Sequence, residues 1–253
     1  MKTLGQITRK LPVQEGFSLV ELAIVLIIVA LLSSGLMFGL GNQQKQIQFK
    51  EMQNQTDNVL NAIMGFAMTN GRLPCPADPN VSKQTNSAGT EILSLSPPNC
   101  DPRTSGCVVT CKLEHGVVPW QTLAIQEIDP WGNRLTYFVG REFSNPISYD
   151  EEISGVKARF SLDTAGRAKI QSGAGQPIAS DVPAVIISHG NRAFGAYTSA
   201  GQQIPDAIGD EKINSNGTLT FVSRPPSDHF DDHVAWVVPT ILKSRLVAVG
   251  KLP

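Results

Sequence analysis

The chain has 253 residues and a formal net charge of −1, with 17% charged and 41% hydrophobic residues. That length suits one or two domains, and a near-neutral balance lacks the positive field that nucleic acid recruits. The average hides an uneven distribution, because the longest apolar run lies close to the N-terminus.

Residues 1–16 carry Lys2, Arg9 and Lys10 and precede that run. Phe17 to Leu40 contains a single charge, Glu21, and no proline. As a helix it would be about 36 Å long, enough to cross a hydrocarbon core of about 30 Å. No later segment is as long and as apolar, so one membrane crossing is expected. Basic residues stay cytoplasmic, which puts 1–16 inside and the rest outside. A secretory signal peptide is the competing reading. Ser33, Ser34 and Gly35 supply small residues for a cleavage site, but the apolar run is longer than such a peptide needs.

The helix is predicted to continue over 41–71. There is no proline between Asn42 and Asn70, and Met52, Val59, Leu60, Ile63, Met64 and Ala67 fall close to helical spacing. From Phe17 to Thr69 it would span about 80 Å. Gly35, Gly39 and Gly41 interrupt it; the Gly35-x-x-x-Gly39 spacing permits close helix contact, and each glycine costs about 1 kcal/mol of helix stability. Gly71 and then Pro74 end it.

Residues 72–253 are long enough for one core. Val156, Ala158, Phe160 and Leu162 alternate with polar residues, which predicts a half-buried strand. Asp163-Thr164-Ala165-Gly166 reads as a hairpin turn, with Ala168 and Ile170 on the returning strand. Further strands are predicted at 134–139, 184–188, 218–222 and 233–238, and a short helix at 240–249. Residues 77–98 and 200–215 read as long polar loops. The fold class expected is α+β, a long N-terminal helix packed on an antiparallel β-sheet.

The four cysteines, Cys75, Cys100, Cys107 and Cys111, all follow the apolar run. An even count outside the cytoplasm favours two disulfides. If residues 108–110 are extended, Cys107 and Cys111 lie about 13 Å apart, too far to bridge. The other two connectivities stay open.

The stretch GFSLVELAIVLIIVALL, Gly16 to Leu32, joins a glycine, a phenylalanine, a glutamate five positions into the helix and an unbroken apolar run. It resembles the class III signal of type IV pilins and type II secretion pseudopilins. The resemblance implies cleavage between Gly16 and Phe17 by a prepilin peptidase, followed by N-methylation of Phe17. Glu15 departs from the family, where a basic residue is frequent before the glycine. A carboxylate in hydrocarbon costs several kcal/mol unless paired. The new amine of Phe17 on a neighbouring copy would pair with Glu21 and set the register between helices. On this reading 1–16 is a removed leader, 17–40 an assembly helix in the bacterial inner membrane, 41–71 its amphipathic continuation and 72–253 a periplasmic domain. Implied partners are other pilin or pseudopilin subunits, an inner-membrane platform protein and an assembly ATPase. A minor subunit is expected, since major subunits are usually smaller. The rival reading is a membrane-tethered periplasmic enzyme or metal-binding protein that does not polymerise.

RLPCPAD, Arg72 to Asp78, and VPWQTL with DPWGNRLTYFV, within Val118 to Val139, also resemble pilin-like proteins. DPWG is similar to a strand-entry motif of major pseudopilins whose neighbouring loop binds calcium. Asp129 is the one ligand this carries over, whereas calcium takes six to eight oxygens. The alternative is a turn shaped by Pro130, Gly132 and Asn133 with Trp131 in the core.

Other chemistry is weakly signalled. His229 and His233 have the spacing of a helical zinc pair, but the alternation of Val234, Trp236 and Val238 predicts a strand there, on which the pair would sit about 13 Å apart. Cys100, Cys107, Cys111 and His115 form a second metal candidate that competes with disulfides. Ser188-His189-Gly190 lacks the nucleophile-elbow pattern, and SGAGQP, Ser172 to Pro177, lacks the GK[ST] of a phosphate loop. No catalytic residue is assigned and no cofactor is expected, calcium at Asp129 being the one candidate that the resemblance carries over.

Overall fold

The computed structural model describes residues 18–101, 106–144, 158 and 160–252, and for 33–42 it describes the backbone alone. The chain divides into two units, Met1–Ile47 and Gln48–Pro253. Helix α1, Leu19–Asn70, is continuous through that division. In the first unit, every large apolar side chain described between Leu19 and Leu32 is more than half exposed. Among the described residues no helix is long and apolar enough to cross a membrane. The span expected from the sequence includes Phe17 and the side chains of 33–40, which lie outside them.

In the second unit α1 is amphipathic. Met52, Thr56, Val59, Ile63 and Ala67 are buried at steps of four, three, four and four, one face of a 3.6-residue helix. Of the stripe expected, Leu60 is half-buried and the rest are buried. The Thr56 hydroxyl, which would be unsatisfied on this face, donates to the Met52 carbonyl at 2.8 Å. The helix ends where expected: Gly71 takes a φ of 67° and its N–H donates to the Ala67 carbonyl. That left-handed residue closes the last turn at no Cβ cost.

The remaining elements follow in chain order as β1 Leu93–Ser96, β2 Val108–Cys111, β3 His115–Val117, β4 Asn133–Arg134, β5 Thr136–Val139, α2 Arg141–Ser144, β6 Ala168–Gln171, β7 Pro177–Val182, β8 Ala184–Ser188, β9 Tyr197–Thr198, α3 Gly209–Ser215, β10 Thr220–Val222, β11 His233–Trp236 and α4 Pro239–Ala248. The central sheet is antiparallel in the order β11-β8-β5-β3. A second sheet has the order β10-β6-β7, with β10 parallel and β7 antiparallel to β6. Two small ribbons, β1-β2 and β4-β9, complete the strands described.

The central sheet is covered on both faces. On one, Tyr137, Val139, Ala184 and Ile186 pack with Val59, Ile63, Met64 and Ala67 of α1 and with Leu242 and Leu246 of α4. On the other, Phe138, Val185, Ile187 and Val234 pack with Ala168, Ile170, Val182 and Phe221 of the second sheet. All five residues of β8 are buried as a result, which is why AVII reads as a continuous apolar run rather than an alternation. The expected helix-on-sheet α+β architecture is present with a second sheet added behind it.

The strands expected at 184–188, 218–222 and 233–238 and the helix at 240–249 are found with small boundary shifts, whereas the one expected at 134–139 is broken at Leu135 into β4, which pairs with β9, and β5 of the central sheet. The hairpin expected from Val156 to Ile170 is not. Ala158 and Phe160 to Leu162 are not in strand, and Val156, Lys157 and Arg159 lie outside the described residues. Phe160 turns into the helix-side core, its ring centroid 4.7 Å from that of Phe143. Ala158 N–H donates to the Lys251 carbonyl, and Lys243 Nζ donates to the Leu162 carbonyl. Ala168 and Ile170 enter the opposite core. The two arms of the expected hairpin thus serve different cores. The two long loops are corrected as well, since 77–98 holds β1 and 200–215 holds α3.

Candidate functional site

The first described turn of α1 carries Glu21. Ser18 accepts at both its positions, its hydroxyl from Val20 N–H at 3.3 Å and its carbonyl from Leu22 N–H at 3.1 Å. A carboxylate in this turn complements the positive end of the helix dipole. Glu21 is exposed among exposed Leu19, Val20, Leu22, Ile24 and Val25. Gly16 and Phe17, the expected processing residues, lie outside the described residues.

All four cysteines are paired, Cys75 with Cys111 and Cys100 with Cys107, at Cα separations of 5.3 and 5.6 Å. This is one of the two connectivities left open. It also removes the metal set of Cys100, Cys107, Cys111 and His115, because the thiolates a metal needs are consumed. His115 instead lies on β3 with its ring 4.8 Å from that of Phe138. Burial pushes its pKa down, against an opposing pull from Glu114.

RLPCPAD forms a bracket after α1. Arg72 makes a two-pronged ion pair with Glu91 at 2.7 and 3.0 Å. Glu91 also accepts the Cys75 N–H, Pro74 accepts the Tyr137 hydroxyl, and Ala77 bridges to Val117.

The DPWG segment folds as a turn. Asp129 is 4% exposed. Its Oδ1 accepts the N–H groups of Trp131 and Asn133, each at 3.0 Å, and its Oδ2 accepts the Ser188 hydroxyl at 2.7 Å. Burial raises its pKa, and these three hydrogen bonds oppose the rise. Trp131 is half-buried rather than in the core. Trp120 takes that role, with the Arg134 guanidinium 4.6 Å from its ring centroid. Arg134 is fully buried and bonds Glu127 and the carbonyls of Pro79, Val81 and Ser199. One side chain therefore ties β4 to three loops.

A second polar network was not anticipated. Asp232 Oδ1 faces His189 Nδ1 at 3.1 Å and its Oδ2 accepts Asn214 Nδ2 at 2.8 Å. A carboxylate only accepts, so His189 donates from Nδ1, and its Nε2 hydrogen-bonds with the Thr136 hydroxyl at 2.9 Å. Ser188 and His189 thus serve different partners, Asp129 and Asp232. Beside this chain, Glu211, Asp231 and Asp232 bring carboxylate oxygens within 4.8 Å of one another. Arg192 pairs with Glu211 and Asp231. These acids come from α3 and from the turn before β11, so sequence spacing gives no sign of their meeting. His229 is exposed, and His233 lies on β11 against Phe49, with ring centroids 6.2 Å apart. The strand expected there is present.

Residues 12–37 match the family model for the prokaryotic N-terminal methylation motif. Comparison with curated proteins and with solved structures gives no match. The match covers Gly16, Phe17 and Glu21 together with the apolar run up to Met37. The motif implies processing by a prepilin peptidase and assembly with other pilin subunits. Over this N-terminal stretch the chain is similar to type IV pilins and pseudopilins.

Proposed function

We propose that the chain is a minor structural subunit of a type IV pilus or a type II secretion filament. The methylation motif over 12–37 is the observation that carries this reading. The peptidase cuts between Gly16 and Phe17 at the cytoplasmic face and methylates the new amine. The segment from Phe17 to Leu40 then holds the subunit in the bacterial inner membrane as a single pass. Its length, single charge and lack of proline support that role. The domain beyond it lies in the periplasm, where the two disulfides are stable.

Glu21 supplies the assembly step. An exposed carboxylate among apolar side chains is unfavourable in lipid without a partner. The Phe17 amine of an adjacent subunit satisfies it and fixes the axial register. An inner-membrane platform protein and an assembly ATPase, both separate chains, lift the subunit into the filament. Replacing Glu21 by alanine tests this step. The expected result is an unchanged membrane level with loss of the subunit from the filament fraction. Incorporation of Glu21→Ala at the wild-type level would contradict it. A minor subunit is also expected to be far scarcer in sheared filaments than the protein that forms their body, as read by quantitative mass spectrometry.

A further inference from the structure

The likeness of DPWG to major pseudopilins implies a calcium ion beside that turn, and the residues here do not fit one. Both oxygens of Asp129 already accept hydrogen bonds, from three donors in all. Among the described residues, Glu211, Asp231 and Asp232 are the one group of three acids close enough to share an ion. Their oxygens are largely committed too. Glu211 Oε1 receives Arg192 Nη2 and the Asp231 N–H. Asp231 Oδ2 receives the Arg192 N–H at 2.9 Å, and its Oδ1 faces Arg192 Nε at 3.6 Å. Asp232 gives one oxygen to His189 and the other to Asn214. Glu211 Oε2 and Asp231 Oδ1 are left, both buried and without a hydrogen-bond donor. Calcium takes six to eight oxygens, and two uncommitted carboxylate oxygens do not approach that.

We infer that the Arg192 guanidinium is the resident cation of this acidic cluster and holds, in place of a divalent ion, the loops that carry Glu211, Asp231 and Asp232. Its planar fork hydrogen-bonds two sites and brings Nε within 3.6 Å of a third. Nη2 goes to Glu211, Nε faces Asp231, and Nη1 donates to the Asp228 carbonyl. A point charge on a flexible stem cannot match that geometry. The backbone is shaped for the same grip. Gly190 has a φ of 61°, and a Cβ there would lie 2.5 Å from the Asp231 carbonyl oxygen. A glycine two residues before Arg192 lets the strand end wrap the acidic turn. Glu211 is 1% exposed at its side chain and Asp231 19%, so their charges are poorly served by water and need a fixed counter-charge. The consequence is a domain whose folding does not depend on the calcium available where it folds.

This inference is independent of the filament reading, and thermal unfolding of the full chain in detergent tests it. The wild-type midpoint is expected to be the same in calcium chloride and in excess EDTA. A rise of about 5–10 °C with calcium, the size expected near a hundred times a site's Kd, would overturn the inference. Arg192→Ser leaves the three carboxylates without their cation. It is expected to unfold at lower temperature and to recover with calcium chloride but not with sodium chloride. A folded Arg192→Ser that responds to calcium no more than the wild type would also overturn it. Should Arg192→Ser fail to fold, Arg192→Lys keeps a positive charge and is expected to fold without any calcium response. A calcium-dependent midpoint in Arg192→Lys would show that the lysine is no bar to a divalent ion, against the inference.

Discussion

Arg134 has five N–H donors and makes five hydrogen bonds, two to Glu127 and three to carbonyls of flanking loops. Its side chain is 0% exposed and that of Glu127 7%. Such a pair is a weak source of net stability when intact, but removing one partner leaves a buried charge and several carbonyls unsatisfied. Arg134→Met is therefore expected to lose about 3–5 kcal/mol in urea unfolding. A loss under about 1 kcal/mol would mean that water replaces the guanidinium readily. Two half-buried histidines give a pH dependence of definite sign. His115 and His233 have pKa values lowered chiefly by burial, opposed by Glu114 and Asp57 respectively. The fold prefers their neutral forms, so their contribution is complete above the unfolded value of 6.5 and is lost as pH falls through the folded values. Between about pH 7.5 and about 5.5 the urea midpoint should fall, and His233→Gln should fall less than the wild type. An equal fall in both would remove His233 from the account. Asp129 and Glu211 act in the opposite sense at lower pH, because burial raises their pKa values and favours their protonated forms.

Elements were legible in the sequence where local pattern and final environment agree. The stripe from Val59 to Ala67 meets one core along one face, so its period survives into the structure. The stop at Gly71 is a local property of the chain, and it was readable for that reason. Val156 to Ile170 failed on the opposite ground. Its alternation and turn residues describe a hairpin, but Phe160 and Ile170 are claimed by cores on opposite faces of the central sheet. α3 escaped notice because it has seven residues and begins after Ile208, with no side-chain cap. The network around Asp232 joins positions 136, 189, 214 and 232, separations at which sequence carries no pattern. The two disulfides stabilise unequal stretches of chain. Cys75–Cys111 spans a sequence separation of 36 and Cys100–Cys107 one of 7. Loop-closure entropy assigns them about 4 and about 2 kcal/mol. Replacing the Cys75–Cys111 pair by serines should cost the more of the two in guanidinium unfolding, and the reverse order would contradict the entropic account. Gly89 marks another fixed point. Its φ is 71°, and a Cβ there would lie 2.1 Å from the Trp120 ring. Gly89→Ala should displace that ring and quench or shift its fluorescence, whereas an unchanged spectrum with unchanged stability would show that the 88–90 segment gives way easily.

At the scale of the molecule the two units have different tasks. The unit from Gln48 onward builds its own cores and pairs its buried charges within itself. The unit up to Ile47 shows the reverse. Its described apolar side chains are exposed along the helix, and one carboxylate sits among them. A helix apolar all round is not stable in water by itself and calls for lipid or neighbouring helices. The methylation motif gives that requirement a biological form. The central claim is that Phe17 becomes the N-terminus and meets Glu21 of a neighbour. The intact mass and N-terminal residue of the membrane-extracted protein, with and without the prepilin peptidase, test it most directly. The account predicts a chain that begins at methylated Phe17 when the peptidase is present and at Met1 when it is absent. A chain that still begins at Met1 in the presence of the peptidase, or one cut near Ser34, would leave Glu21 without its partner and contradict the account.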